Sequence, residues 1–179
     1  MDIEVEIRSF VSKEKYEQLL EFFDKEGEFC YEDDQVSHYF DTEEDLRIME
    51  SKQYSKLWLK KGKMHDEKRE EIEVRMDKKD FQKLRKIFLG IGLNVEIMWF
   101  RKRKAFKWQG INVMVDYTKG YGYILELEKI CPPEEKEKNL ELLKQKLAEL
   151  NIPLTPRKEF DDAYEHYKNN WRELTGHKD

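Results

Sequence analysis

The stretch Ile3-Glu4-Val5-Glu6-Ile7-Arg8 decides the fold of this 179-residue chain. Its odd positions are apolar and its even positions are charged. Because successive side chains of a β-strand point to opposite faces, this alternation predicts a strand over about residues 2–10 with one apolar face and one charged face.

The same alternation recurs in seven further segments, which are predicted as strands at about 28–41, 45–50, 54–61, 68–76, 94–108, 111–118 and 122–130. Their polar faces mix carboxylates with Arg or Lys instead of carrying Ser, Thr or Asn. The charged positions include Arg47, Lys56, Lys60, Arg69, Glu71, Glu73, Arg75, Arg101, Arg103, Asp116, Glu126 and Glu128. In the segment 94–108 the parity conflicts, so its facing is expected to change near Phe100 through a bulge.

Four amphipathic helices are predicted around these strands. The first follows Ser12 and ends near Gly27, and the second is expected to be capped by Asp77. Two more follow the break at Pro132-Pro133, the last of them beginning at Thr155-Pro156. The helices can cover one face of the sheet, and the economical arrangement places them on the apolar outside and turns the charged faces inward.

The predicted fold class is therefore α+β, a closed or nearly closed eight-stranded antiparallel β-barrel with helices packed outside. We expect one domain over residues 1–179, with the strands within about 2–130 and the C-terminal helices within about 133–173. The alternative is a half-buried sheet whose charged face lies in water and is laced with cross-strand ion pairs. The alternation alone leaves both open.

The composition limits the classes of binding partner to be expected. The 34 basic residues nearly balance the 39 acidic ones, and a net charge of −5 gives no reason to expect nucleic acid or an anionic membrane. Charged residues make up 41% of the chain, above the roughly 25% of ordinary domains. No apolar run approaches the roughly 20 residues of a membrane span, and residues 1–4 do not resemble a signal peptide, so a cytoplasmic protein is expected.

Any metal is expected to bind carboxylates. Cys30 and Cys131 form no CxxC motif, and the four histidines form no zinc-type cluster. Two pairs of glutamates two residues apart, Glu4 with Glu6 and Glu126 with Glu128, each point to one face of a strand. Such oxygen ligands suit Mg²⁺ or Mn²⁺, the usual partners of phosphate oxygens, and neighbouring Arg and Lys would bind the remaining oxygens.

Several motifs, taken in order, resemble the CYTH superfamily of triphosphate tunnel metalloenzymes. The stretch 4–8 resembles the ExExK hallmark, with Arg8 in place of Lys. The other matching stretches are Tyr39-Phe40-Asp41-Thr42, Leu46-Arg47-Ile48-Met49, Leu57-Trp58-Leu59-Lys60, Arg69-Glu70-Glu71-Ile72-Glu73, Arg103 followed by Phe106, residues 113–116 and residues 120–128, with a weaker match at residues 156–160.

The resemblance implies a role for each matched residue. It implies that the metal ligands are Glu4, Glu6, Asp116, Glu126 and Glu128. It implies that the triphosphate is bound by Arg8, Arg47, Lys60, Arg69, Arg101, Arg103, Arg157 and Lys158. The residues with a catalytic role would be Arg8, Lys60, Glu73 and Arg103. Arg8 in place of Lys, and Met49 in place of a second Arg, depart from the pattern. A guanidinium keeps its charge, so Arg8 could not activate a nucleophile in neutral form, and weaker or altered catalysis is predicted.

Three functions follow from these residues. The first is a metal-dependent phosphohydrolase acting on an inorganic, thiamine or nucleoside triphosphate. The second is an adenylyl cyclase that makes cyclic AMP and pyrophosphate from ATP, and the third is a non-catalytic binding module for polyphosphate or nucleotide. The expected partner is a small-molecule triphosphate, with no nucleic acid or membrane, and the chain as a monomer or homodimer. Trp58 shares the parity of Lys56 and Lys60 and could line the tunnel and contact an organic group of the substrate. His38 and His65 are predicted to lie on the surface or in loops.

Overall fold

The computed structural model describes residues 3–61 and 71–178. Within these residues the strands are β1 Ile3–Val11, β2 Glu28–Phe40, β3 Asp45–Glu50, β4 Tyr54–Lys60, β5 Glu71–Asp77, β6 Val95–Trp108, β7 Ile111–Thr118 and β8 Gly122–Cys131. The α-helices are α1 Lys13–Glu26, α2 Phe81–Gly90, α3 Lys136–Glu149 and α4 Arg157–Thr175. All eight predicted strands and four predicted helices are present, with ends that differ by a few residues.

The strands form one eight-stranded sheet in the order β1-β8-β7-β6-β2-β3-β4-β5. The pairs β1/β8, β7/β8, β2/β3, β3/β4 and β4/β5 are antiparallel. These findings confirm the α+β class and the antiparallel sheet. Within the described residues β1 and β5 end the order, so closure into a barrel stays a prediction.

The chain divides into two compact units. The first unit combines Met1–Glu32 with Lys102–Tyr167, and the second unit combines Asp33–Arg101 with Lys168–Asp179. The single domain over residues 1–179 therefore stays a prediction.

In the first unit, helices α1 and α3 cover the apolar face of the sheet. The fully buried residues Phe23 of α1 and Leu143 of α3 pack in one cluster with Leu125 and Leu127 of β8 and Val113 of β7. Each such side chain contributes about 1.5–3 kcal/mol by leaving water. Ile3, Val5 and Ile7 of β1 also pack in this cluster, as their alternation predicted.

In the second unit, helix α2 covers only part of the apolar face. Phe81 packs against Phe40 and Ile48, with further apolar residues around them. Farther along the sheet, Ile72 and Val74 of β5 are 47% and 51% exposed. Helix cover on this face therefore stops short of β5.

Of the two helix caps that the sequence predicted, Ser12 is confirmed and Asp77 is not. Ser12 caps α1, because its Oγ accepts a hydrogen bond of 3.2 Å from the Lys15 backbone N–H. Asp77 was expected to cap α2, and this prediction is wrong. Asp77 precedes a 3₁₀ turn over Lys78–Asp80 and makes no capping hydrogen bond, while its carboxylate pairs with Lys79 at 3.0 Å.

Among the described residues, no helix combines the length and the apolar character that crossing a bilayer requires. Cys30 is exposed, Cys131 is buried, and both are free thiols.

Candidate functional site

The charged face of the first unit is set by strand register. Glu6 lies opposite Glu128, and Arg8 lies opposite Glu126. Because residues that lie opposite each other in adjacent strands share a face, these four side chains and Glu4 lie on one side of the sheet. The helices α1 and α3 pack on the other side.

Part of this charged face is buried. Asp116 is 3% exposed and Glu126 is 9% exposed. An open sheet whose charged face lies in water would leave both carboxylates accessible. The alternative of a solvated charged face therefore fails for β7 and β8, whereas Glu4 and Glu6 of β1 are exposed.

Arg103 joins two of these carboxylates. Its Nε and Nη2 donate hydrogen bonds of 2.8 and 2.6 Å to the two oxygens of Asp116, and Nη2 also lies 3.3 Å from Glu126 Oε1. Burial opposes the charge of this guanidinium, but Glu126 and Asp116 hold the pKa of Arg103 above its ordinary value. The predicted triphosphate contact is thus engaged with protein carboxylates.

Glu126 is the most buried of the four glutamates. Burial raises the pKa of its carboxyl group, Arg103 opposes this shift, and repulsion from Glu6 and Asp116 adds to it. A cation placed beside Glu126 would favour the charged form.

Glu4 is affected by the same neighbours. Although the residue is exposed as a whole, partial burial of its carboxyl group and repulsion from Glu128, Glu6 and Glu126 raise the pKa of Glu4 to about 7. The electrostatic potential at this end of β1 is therefore negative.

The donor set suits a hard divalent cation in its chemistry, since four carboxylates from two paired strands share one face. Among residues 3–61 and 71–178, no group of three or more potential ligands is already arranged to hold a metal ion. Three of the four carboxylates have other partners. Arg103 Nη2 lies 3.3 Å from Glu126 Oε1, Asn112 donates to Glu128 Oε1 at 2.9 Å, and Arg8 Nε lies 3.5 Å from Glu6 Oε1.

The weak motif match at residues 156–160 lies beside the end of β1. The Arg8 guanidinium lies 5.6 Å from the centroid of the Phe160 ring, and that ring stacks on Phe10 at 4.4 Å. Arg157 and Lys158, in the first turn of α4, are exposed and pair with Asp161 and Asp162 at 3.9 and 2.5 Å.

The second unit has its own charged face, on strands β3, β4 and β5. Arg47 lies opposite Trp58, which in turn lies opposite Glu73. Lys60 lies opposite Asp45 and Glu71. The predicted residues Arg47, Lys60 and Glu73 therefore share one face.

The cations of this face lie against carboxylates and aromatic rings. Arg47 forms a bidentate ion pair with Asp45, and Lys56 pairs with Glu73. The Arg47 guanidinium lies 4.2 Å from the centroid of the Tyr39 ring, and the Lys56 ammonium lies 4.8 Å from that of Trp58.

The structure thus groups the predicted residues by unit. The first unit brings together Glu4, Glu6, Arg8, Arg103, Asp116, Glu126 and Glu128, and the second brings together Arg47, Lys60 and Glu73. Arg101 also belongs to the second unit, and Arg69 lies outside the described residues.

Sequence reasoning assigned no role to Asp45, Tyr39 or Asn112. Parity could have found Asp45, since it lies two residues before Arg47 on the same strand. The contacts of Tyr39 and Asn112 depend on strand register, which the sequence does not give.

The prediction for His38 is wrong. The residue lies on β2, is 5% exposed and meets the Phe81 ring edge-on at 5.2 Å. Burial, with smaller contributions from Arg85 and His177, lowers the pKa of His38 to about 4. His65 lies outside the described residues. Trp99, Trp108 and Trp171 are buried, as expected for packing residues.

A family model described as "CYTH domain" matches residues 2–169. Since the match spans nearly the whole chain, the chain belongs to the CYTH domain family, as the motif order predicted.

Proteins of similar sequence or structure are also known. A Methanocaldococcus jannaschii protein that carries the name "Putative adenylate cyclase" is 42% identical over 86 residues, which are 47% of this chain and 47% of that protein. The match thus spans about half the length of this curated relative. A solved Pyrococcus horikoshii structure has a TM-score of 0.70 at 24% identity, covering 87% of this chain and 94% of its own.

A second solved structure, a Vibrio parahaemolyticus protein also named "putative adenylate cyclase", has a TM-score of 0.65 at 16% identity, covering 87% of this chain and 95% of its own. At these identities the two structures show a shared fold and no more.

Proposed function

We propose that this protein is a metal-dependent enzyme that hydrolyses a triphosphate and releases orthophosphate. The observation that carries the proposal is the charged face of the first unit, where Glu4, Glu6, Glu126 and Glu128 lie on paired strands with Arg8 and Arg103 among them. Family membership supports a triphosphate as the substrate. Closure of the sheet into a barrel, which the resemblance implies, is part of the same proposal.

Glu4, Glu6, Glu126 and Glu128 would hold Mg²⁺ or Mn²⁺. The bound ion would neutralise phosphate oxygens and so lower the cost of charge that develops at the attacked phosphorus. The absence of a ready three-ligand group among the described residues fits a site that the oxygens of the triphosphate help to complete.

The chain's own cations would bind and orient the substrate. Arg8 lies on the face of the carboxylate cluster and would contact phosphate oxygens there. The resemblance also implies phosphate contacts for Arg47 and Lys60. In hydrolysis a water oxygen attacks the terminal phosphorus and gives up a proton to solvent. The bond from that phosphorus to the bridging oxygen breaks, the bridging oxygen keeps the electron pair as the remainder of the substrate leaves, and the attacked phosphorus is released as orthophosphate. Fixed cations stabilise the charge that this step spreads over the phosphate oxygens.

A second candidate is an adenylyl cyclase, which the name of the Methanocaldococcus jannaschii relative favours. In that reaction the ribose 3′-oxygen attacks the α-phosphorus, and the bond to the β-phosphate bridge breaks to release pyrophosphate. The carboxylates and cations would act in the same way. The two reactions differ in which phosphorus meets a nucleophile.

Product analysis tests both candidates. The protein is incubated with ATP, inorganic triphosphate or thiamine triphosphate and Mg²⁺ or Mn²⁺, and phosphate, pyrophosphate and cyclic nucleotide are separated. Orthophosphate supports the hydrolase, whereas cyclic AMP with pyrophosphate supports the cyclase. Tight binding without turnover under either metal would leave a binding module and refute both.

Paired variants test the metal site. In Glu4→Gln/Glu6→Gln and in Glu126→Gln/Glu128→Gln, calorimetry is expected to show loss of metal-linked triphosphate affinity. Glu141→Gln, on the exposed surface of α3, is the matched control. Affinity at the level of the unaltered protein in both double variants would refute the ligand assignment.

A further inference from the structure

Trp58 has a buried donor with no acceptor. The residue is 7% exposed, and among the described residues no atom accepts a hydrogen bond from its indole Nε1. A buried donor without a partner loses its hydration and gains nothing in return, so such groups are rare and need an explanation.

The surroundings of Trp58 point to an anion. Lys56 lies on the same strand, and its ammonium is 4.8 Å from the centroid of the Trp58 ring. Arg47 lies directly opposite on β3, and its guanidinium carbon is 5.8 Å from that centroid. Two cations lie over the ring of a residue whose N–H has no acceptor among the described residues. This set of donors carries positive charge, which an apolar ligand or a cation would not match.

The two cations are now held by carboxylates. Asp45 binds Arg47 and Glu73 binds Lys56, whereas no described acceptor serves the indole. A phosphate-type anion presents several oxygens around one phosphorus and could accept from the indole while lying against both positive charges.

We propose that the Trp58 indole N–H is a substrate-binding donor that, with Arg47 and Lys56, forms a phosphate subsite on the charged face of the second unit. The ligand class is the triphosphate itself, so the inference rests on the proposed function in that respect. Which reaction the enzyme performs does not affect it.

Trp171 offers a matched control within the same unit. Its Nε1 donates to the Glu96 carbonyl oxygen at 2.9 Å, and the residue is 2% exposed. Both indoles are buried, but among the residues that the structure describes only that of Trp171 has an acceptor. Replacing each by Phe removes the N–H and keeps an aromatic ring.

The two variants are expected to behave in opposite ways. Trp58→Phe should weaken binding roughly ten- to hundredfold, because a hydrogen bond to a charged acceptor is lost. Its Tm should stay at the level of the unaltered protein or rise, since an unsatisfied donor is removed. Trp171→Phe should keep its affinity and lower the Tm, because it leaves the Glu96 carbonyl oxygen without its partner.

Affinity is measured by calorimetry with an imido-bridged triphosphate analogue and Mg²⁺, since P–N bridges resist hydrolysis. Equal affinity of Trp58→Phe and the unaltered protein would overturn this inference alone. No binding to the unaltered protein would refute the proposed function together with the inference.

A second measurement does not depend on a folded variant. The protein has four tryptophans, and ¹⁵N-labelled indoles give separate N–H signals by NMR. We expect the Trp58 signal to move downfield when the analogue is added and to stay in place with an equal ionic strength of NaCl. If the analogue binds and that signal does not move, the indole is not a donor to it.

Discussion

The charged faces of the two units follow the same alternation but carry different chemistry. In the first unit the face is rich in carboxylates, and one buried arginine, Arg103, joins Asp116 and Glu126. In the second unit the cations Arg47 and Lys56 lie against aromatic rings and pair with nearby carboxylates. Under the proposed function, the first face would attract a metal ion and the second an anion.

The comparison shows that strand parity determines which face of the sheet a side chain lies on. It does not determine which residue becomes its ion-pair partner. Arg47 pairs with Asp45 on its own strand, two residues away. Arg103 pairs with Asp116 on another strand. The cost of losing each cation depends on the burial of the carboxylate that it leaves behind.

The largest effect is expected for Arg103→Ala. It leaves Asp116 and Glu126 buried without their cation, so the free energy of unfolding should fall by about 3–5 kcal/mol. If Arg103 also stabilises charge on the substrate, turnover should fall roughly hundred- to thousandfold. Urea unfolding and a phosphate-release assay measure the two effects.

Lys158→Ala is the control for the unfolding measurement, because the Lys158–Asp162 pair is exposed and its loss should leave the free energy of unfolding nearly unchanged. A loss below about 1 kcal/mol in Arg103→Ala would mean that the buried ion pair does not distinguish the two faces.

The apolar faces should differ as well. Leu143→Ala in α3 removes a fully buried side chain, and the free energy of unfolding should fall by about 2–5 kcal/mol. Val74→Ala in β5 changes a residue that is half exposed, so a loss under about 1 kcal/mol is expected. Urea unfolding measures both. Similar losses would show that β5 is covered in solution.

Acid should destabilise the second unit through His38. Above pH 6.5 its ring is neutral in the folded and unfolded states. Below pH 6.5 the unfolded chain takes up a proton, while the folded protein does so only near pH 4, so stability falls as the pH falls through this window. The loss reaches at most about 3 kcal/mol.

Urea unfolding between pH 7 and pH 4 measures this loss. His38→Gln cannot titrate, so its pH profile should be flatter than that of the unaltered protein. Parallel profiles would assign the acid sensitivity to other groups.

The smallest effect is expected for metal binding at Glu4. Since its pKa is about 7, a proton competes with the metal ion below neutral pH, and metal affinity should rise from pH 6 to pH 8 by up to roughly tenfold. Calorimetry with Mn²⁺ at several pH values measures this rise. A Glu4→Gln variant with an unchanged pH dependence would contradict the assignment.

Local sequence was enough to predict the strands and helices and to assign side chains to the apolar or the charged face of the sheet. Alternation in residues 3–8 placed Glu4, Glu6 and Arg8 on one face, and helical spacing placed Leu143 in the core. Both signals depend on a few neighbouring residues, so no knowledge of distant partners was needed.

Contacts between distant residues could not be predicted in the same way. The Arg103–Asp116 pair and the burial of His38 against Phe81 depend on register and on how a helix lies over the sheet. Asp77 failed as a helix cap because a 3₁₀ turn precedes α2, and residue type alone does not distinguish the two.

The pairing of β1 with β8 has a consequence for how the chain folds. Ile3 pairs with Cys131, and the Phe10 backbone N–H donates to Thr155 Oγ1 across 145 residues of sequence. During synthesis β1 emerges early and has no strand to pair with until β8 has been made. We therefore expect slow folding, and a nascent chain whose apolar β1 face depends on chaperones while it waits.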